Sequence, residues 1–231
     1  MQNSFRFGEI FPKKIVCFFV AAFSTMSTEV FVLFEGYSRT EKAGKIMKAN
    51  CTCSLIKNSD LNIIVDTMTP WDKDRLVQKL KDHQLDSSEI NFVINTHGHS
   101  DHIGNNNLFL NAIHVVGQSV NKGDEYDLEA FEKGHYIISD QVKVIATPGH
   151  TLDSVSVEVK ADDGFYMIVG DLFEKEEDIK DESIWREAGS EDPEQQRNHR
   201  QKVLSSADFI VPGHGKMFRN VYKIRTLSSR K

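Results

Sequence analysis

The chain has 231 residues, 39% of them hydrophobic and 27% charged, with a formal net charge of −6 and a pI near 5.8. That is the composition of an ordinary globular protein, and it excludes low-complexity, fibrous and disulfide-framed classes, since three cysteines frame nothing. The acidic balance gives no bulk attraction to nucleic acid, although a local basic groove stays open.

The first residues have two readings. Lys13-Lys14 precede the apolar run "IVCFFVAAF", and Ala22-Phe23-Ser24 has the form of a cleavage site, as in a secretory signal peptide. Glu9 sits inside the supposed basic region, and Met26 opens what reads as the natural start of a domain. The run is shorter than the ~20 apolar residues a bilayer span needs. Residues 1–28 are therefore set aside as a leader, either a signal peptide (residues 1–24) that would make the protein secreted or a dispensable extension. Residues 29–231 read as one domain without a linker.

From Glu29 the strands come in quick succession. "EVFVLFEGY" and "ANCTCSLIKN" are expected as strands, followed by "LNIIVDT" after the turn at Asn58-Ser59-Asp60. Cys51 and Cys53 would face the same side as small core residues, and the sequon Asn50-Cys51-Thr52 would lie in a core strand. A helix opens at Thr69-Pro70-Trp71-Asp72, with Asp72 as its cap and Leu76, Val77 and Leu80 as its apolar stripe. "INFVIN" is a short buried strand running directly into "THGHSDH". "IHVVGQ" and "KVIATPGH" follow, then a hairpin of "SVSVEVK" and "GFYMIVGD" across Asp162-Asp163-Gly164. A charged loop is expected from Glu174 to Asp192, with its run "EKEEDIKDE" as a solvated face bordering a cleft rim. Trp185 in that loop is expected to pack, and Trp71 to stand near the same mouth. Asp192-Pro193 caps and opens a helix to about Ser206, and "DFIVPGHG" closes the chain's core. Strands outnumber helices, which predicts an α/β (α+β) fold of two packed sheets with helices outside.

Four apolar runs end in the same way. "VINTHGHSDH", "VIATPGH", "MIVGD" and "FIVPGH" each finish on His or Asp. Strand ends are where a rigid scaffold offers side chains to a cleft. Seven groups collect there: His97, His99, Asp101, His102, His150, Asp171 and His214. His97 and His99, two apart, point the same way in extended backbone and can share one metal. Asp101 and His102, beyond the turn, can face a second. One further histidine for each site and one shared carboxylate would complete two open N/O sites. Imidazole and carboxylate without thiolate suit zinc or iron, with manganese as a further option, in a catalytic rather than a structural site. Two such ions would hold an acidified water between them as hydroxide. His83, His114, His135 and His199 lie outside this pattern and read as packed or solvated.

"THGHSDH" resembles the HxHxDH signature of the metallo-β-lactamase superfamily, with His150, Asp171 and His214 where its later motifs stand and Asp66, ending "NIIVDT", where its first does. The resemblance runs from about Glu29 to Arg219. It implies a four-layer αββα sandwich with a dinuclear site at the sheet edges. His97, His99 and His150 would then hold the first metal and Asp101, His102 and His214 the second. Asp171 would bridge them, and Asp66 would stand behind the ligands and hold them in place. Asp101 and Asp171 would serve catalysis directly. The run "GSEDPEQQRNHRQKVLSSADFIVPGHGKMFR" is similar to one branch of the superfamily, whose members are endoribonucleases acting on the 3′ ends of histone pre-mRNA, are found in cytosol and nucleus and form dimers. Those properties are the implied function, partners and localisation. A glyoxalase II-like hydrolase of thioesters or other small acyl compounds is the alternative, since the metal set serves both, and a metal-binding protein without catalysis is a third reading. The stretch between Asp171 and His214 is too short for the inserted domain of the larger RNA-processing nucleases, which favours a compact hydrolase.

Overall fold

A computed structural model describes residues 27–41, 44–59 and 61–223. The proposed leader and its signal peptide fall almost wholly outside them. Ser27 and Thr28 already belong to the domain, because both bond to Asp162 across the molecule.

In chain order the elements are β1 (Thr28–Phe34), β2 (Tyr37–Glu41), β3 (Ile46–Asn50), β4 (Cys53–Asn58), β5 (Leu61–Val65), α1 (Lys73–Asp82), β6 (Phe92–Asn95), β7 (Ile113–Val116), β8 (Ser119–Lys122) and β9 (Glu125–Asp127). Then come β10 (His135–Ile137), β11 (Val142–Ala146), β12 (Val155–Ala161), β13 (Gly164–Gly170), α2 (Glu182–Glu187), α3 (Pro193–Ser206), β14 (Phe209–Pro212) and β15 (Phe218–Arg219). One sheet runs β1-β4-β5-β6-β7-β8-β9 and the other β10-β11-β12-β13-β14-β15, while β2 and β3 form a separate hairpin. The pairs β5–β6, β6–β7 and β13–β14 are parallel.

Side-chain alternation sorts the strands into layers. Ile63 and Val65 face the space between the sheets, where they meet Val144, Val157, Ile168 and Val211, while Ile64 faces the other way against Leu76 and Leu80 of α1. In the second sheet Tyr166 and Ile168 face inward, and Met167 and Val169 face α3 through Val203 and Ala207. The order is therefore helix, sheet, sheet, helix, as the resemblance implied. Strands buried on both faces read as unbroken apolar runs, which explains "NIIV" and "FVI".

Four expectations need correction. "ANCTCSLIKN" is not one strand. It breaks at Cys51-Thr52, where the Thr52 N–H donates to the Gly213 carbonyl at 2.7 Å and Thr52 Oγ1 accepts from the Gly36 N–H at 2.9 Å. Both cysteines are nonetheless buried core residues. Asp72 stands at the start of α1 but does not cap it; its carboxylate accepts instead from Asn50, Thr69 and Arg75. The stretch from Glu174 to Asp192 is not a loop throughout, because α2 lies within it. The run "EKEEDIKDE" is a solvated face only in part: Glu176, Glu177, Lys180, Asp181 and Glu182 are exposed, but Glu174 and Asp178 are buried. Trp185 packs fully buried as expected, whereas Trp71 is 90% exposed.

Asp178 is buried because α3 supplies its partner. Arg200 donates to both Asp178 carboxylate oxygens, at 2.6 and 3.1 Å, and to the Leu172 carbonyl at 2.7 Å. Its guanidinium lies 3.9 Å from the centre of the Phe173 ring. Asp178 also accepts the Glu174 N–H at 2.7 Å. This pair pins the segment that follows β13. Breaking one side of a buried ion pair strands the other, so Asp178→Ala is expected to cost about 3–5 kcal/mol, read as a shift of the urea midpoint.

Candidate metal centre

The seven side chains singled out in the sequence converge at one end of the two sheets. Donor atoms of His97, His99, His150 and Asp171 lie within 4.8 Å of one another, as do those of Asp101, His102 and His214. Asp171 is the centre of both groups. Its Oδ2 lies 3.1 Å from His214 Nε2, 3.4 Å from His150 Nε2 and 3.7 Å from His97 Nε2, and its Oδ1 lies 3.3 Å from His102 Nε2. His83, His114, His135 and His199 take no part in these groups.

The scaffold turns each ring. His150 Nδ1 faces the Gly189 carbonyl at 2.7 Å, and His214 Nδ1 faces the carbonyls of Asn50 and Tyr37 at 3.1 and 3.2 Å. His102 Nδ1 lies 3.0 Å from Asp66 Oδ2. Carbonyl and carboxylate oxygens only accept, so Nδ1 of all three rings carries a proton, and Nε2 is the nitrogen turned towards Asp171, where a cation would replace any proton it holds. Asp66 ends β5 at φ 58°, and it accepts the Thr96 N–H at 2.8 Å and the Thr96 hydroxyl at 3.0 Å. That places Asp66 behind the ligands rather than among them. Close approach also needs Gly213, where a Cβ would lie 1.9 Å from Asp171 Oδ1.

The electrostatics call for a cation. Burial opposes charge on His214, yet Asp171 and Glu174 hold its pKa at about 9. Burial likewise opposes charge on His102, and Asp66 and Asp171 outweigh it to hold the ring well above its usual range. Burial, helped by the neighbouring histidines, pushes His97 and His150 down, which suits neutral ligands. Asp101 Oδ2 and Glu174 Oε1 are buried without a hydrogen-bond partner among the described residues, and His102 Nε2 and Asp171 Oδ1 have only each other, 3.3 Å apart. Orphaned buried polar atoms are rare in folded proteins. Such a crowd of nitrogen and oxygen donors around one point fits a divalent cation.

Residues 48–140 match the model of the metallo-beta-lactamase superfamily. Metallo-beta-lactamase domain-containing protein 1 of Xenopus laevis is 39% identical over 194 residues, spanning 82% of this chain and 81% of that protein. The chain belongs to the metallo-beta-lactamase superfamily. The human protein of the same name is 32% identical over 220 residues, covering 82% of this chain and 81% of its own length. Among solved structures, an N-acyl homoserine lactone hydrolase with its product at the catalytic metal centre shares the fold at a TM-score of 0.59 and 18% identity, covering 78% of this chain and 88% of that one.

Glu174 was missed by the sequence reading. Burial, with Asp171 beside it, pushes its carboxyl up to about 8. Its only signal was an acidic residue three places after a strand-ending aspartate, inside a run that looked solvated.

Removing a ligand is more severe than removing an outer partner, which costs about 10–100-fold in metal affinity. His150→Ala is therefore expected to lose at least that much, measured as metal retained after dialysis against a weak chelator. His199→Ala is expected to retain metal like the wild type.

Proposed function

We propose that this metal-dependent hydrolase is an endoribonuclease acting on the 3′ ends of histone pre-mRNA, with two divalent ions held at the strand ends. Zinc is the first choice of ion, with iron and manganese as alternatives. His97, His99 and His150 would hold the first ion, Asp101, His102 and His214 the second, and Asp171 both. When bound, such ions acidify water to a pKa of about 7 and neutralise the charge that builds on phosphorus.

The chain's own residues do the rest. Asp101 is partly exposed at the pocket mouth, with its Oδ2 unpartnered, and it would accept a hydrogen bond from the attacking water and set its direction. Asp171 keeps the two ligand groups in register through its two oxygens. Asp66 keeps the His102 proton on Nδ1, so that Nε2 faces the site.

The observation that favours a polymer is the open mouth. His99 and Ser100 line the pocket and are exposed, so the site opens to solvent along that loop. The similarity of the segment Gly189–Arg219 to the endoribonuclease branch supports the same reading. On this reading the protein works in cytosol and nucleus as a homodimer; secretion is the alternative and depends on residues 1–24. No helix among the described residues is long and apolar enough to cross a membrane.

One observation favours the acyl-hydrolase alternative. The hairpin β2–β3 turns Ser38, Met47 and Ala49 to the pocket, while Arg39 and Lys48, paired in register, fall on its other face. Those small and apolar side chains suit a thioester or ester better than a phosphate backbone, whose affinity comes from cations.

Single-stranded RNA carrying a histone pre-mRNA 3′ end separates the two. Metal-replete protein is expected to cleave it, and Asp101→Asn to cleave on the order of 100-fold slower or less, by analogy with lost metal-site partners. Equal cleavage by both proteins would point to a contaminating nuclease, and hydrolysis of thioesters alone would select the second reading.

A further inference from the structure

Glu174 stands just beyond the bridging aspartate, at the wall of the pocket. It is 2% exposed, yet it makes no ion pair among the described residues. Its Oε2 has only the Ser38 hydroxyl, at the 3.5 Å outer limit of a hydrogen bond. Its Oε1 has no partner at all. The backbone here is held firmly: the Glu174 N–H donates to Asp178, and its carbonyl accepts the His214 N–H at 2.9 Å. A buried carboxyl this short of partners either keeps its proton or faces a cation, and this one borders the crowd of metal-ligand side chains. Its donor atom lies within 4.8 Å of those of Asp171 and His214.

We propose that Glu174 is itself a metal ligand, joining Asp101, His102, His214 and Asp171 at the second position. This rests on the metal-centre reading above and extends it. The two positions then differ in kind. The first has three imidazoles and one carboxylate, and the second two imidazoles and three carboxylates. Carboxylate donors suit manganese, and imidazole suits zinc. Zinc binds more tightly than manganese at most N/O sites, so the prediction concerns the ratio. The zinc-over-manganese preference is smaller at the second position than at the first.

The test uses the full chain, stripped of metal and titrated calorimetrically with Zn(II) and, separately, Mn(II). Wild type is expected to take two ions of each kind with two different Zn/Mn affinity ratios. Glu174→Gln is expected to lose at least tenfold in Mn(II) affinity at one position and little at the other. Its Co(II)-loaded form is expected to gain d–d absorption as one ion loses a ligand. Two ions in Glu174→Gln with wild-type ratios and an unchanged Co(II) spectrum would overturn the ligand role and leave the metal centre standing. Wild type that takes no metal would overturn both. If Glu174→Gln does not fold, Glu174→Ala carries the same test, and wild-type Mn(II) affinity at both positions in it would overturn the ligand role.

Discussion

The Asp66 carboxylate is the joint on which the site turns. It lies at the end of a strand buried on both faces, with its backbone in the left-handed region. An L-residue accepts that conformation only where its surroundings insist on it. From there its oxygens take the Thr96 N–H, the Thr96 hydroxyl and the His102 ring proton. Thr96 is the residue before His97, so the same carboxylate sets where the histidine loop begins and how its last histidine is turned. The far end of the loop is also held through its backbone, since the His102 carbonyl accepts the Thr67 N–H at 2.7 Å and the Asn95 amide at 2.6 Å. Asp66 is the group that joins the start of the loop to the orientation of its last ring.

The other half of the site is held from the opposite layer. The Gln196 amide of α3 donates to the Asp171 carbonyl at 3.0 Å, and Arg200 on the same helix fixes the segment from Leu172 to Asp178. One sheet thus carries the histidine loop and the other carries the aspartate, and the ligand groups meet only when the sheets are packed. The Val155 N–H bonds the Thr96 carbonyl at 2.8 Å and stitches the two together at that level. A centre shared between layers has no preformed counterpart in the unfolded chain, so metal affinity and folding free energy are linked. The crowd of carboxylates that draws the cation is the same crowd that strains the fold without one.

The site was legible in the sequence because its signal is local and repeated. An apolar run that stops on His or Asp needs no knowledge of neighbours, and it occurs four times. The buried strands were legible for a similar reason, since the apolar runs in "NIIV" and "YMIV" are written in adjacent residues. What escaped depends on distant partners. Asp178 is buried because Arg200 lies on α3, and nothing in "EKEEDIKDE" shows that; Glu174 follows it inward through the N–H that Asp178 accepts. The break at Cys51-Thr52 is invisible because alternation runs through it. What divides the strand is Gly213, far along the chain, which receives the Thr52 N–H. The Asp72 cap failed because Asn50 from the hairpin competes for the same carboxylate.

Substrate choice follows from a different part of the molecule than chemistry does. The candidate metal ligands sit at or just beyond strand ends locked between layers, and one fold can host many substrates. The pocket's outer walls are the hairpin β2–β3 on one side and Ala188, after α2, on the other. The hairpin belongs to neither large sheet, so its face can change without disturbing either core. It still touches the centre, because the carbonyls of Tyr37 and Asn50 at its two ends hold the His214 ring. A substrate that presses on Met47 or Ala49 therefore presses on a unit that orients a metal-facing histidine. Recognition and chemistry are joined at that ring, and pressure on the hairpin would reach the second ligand group before the first.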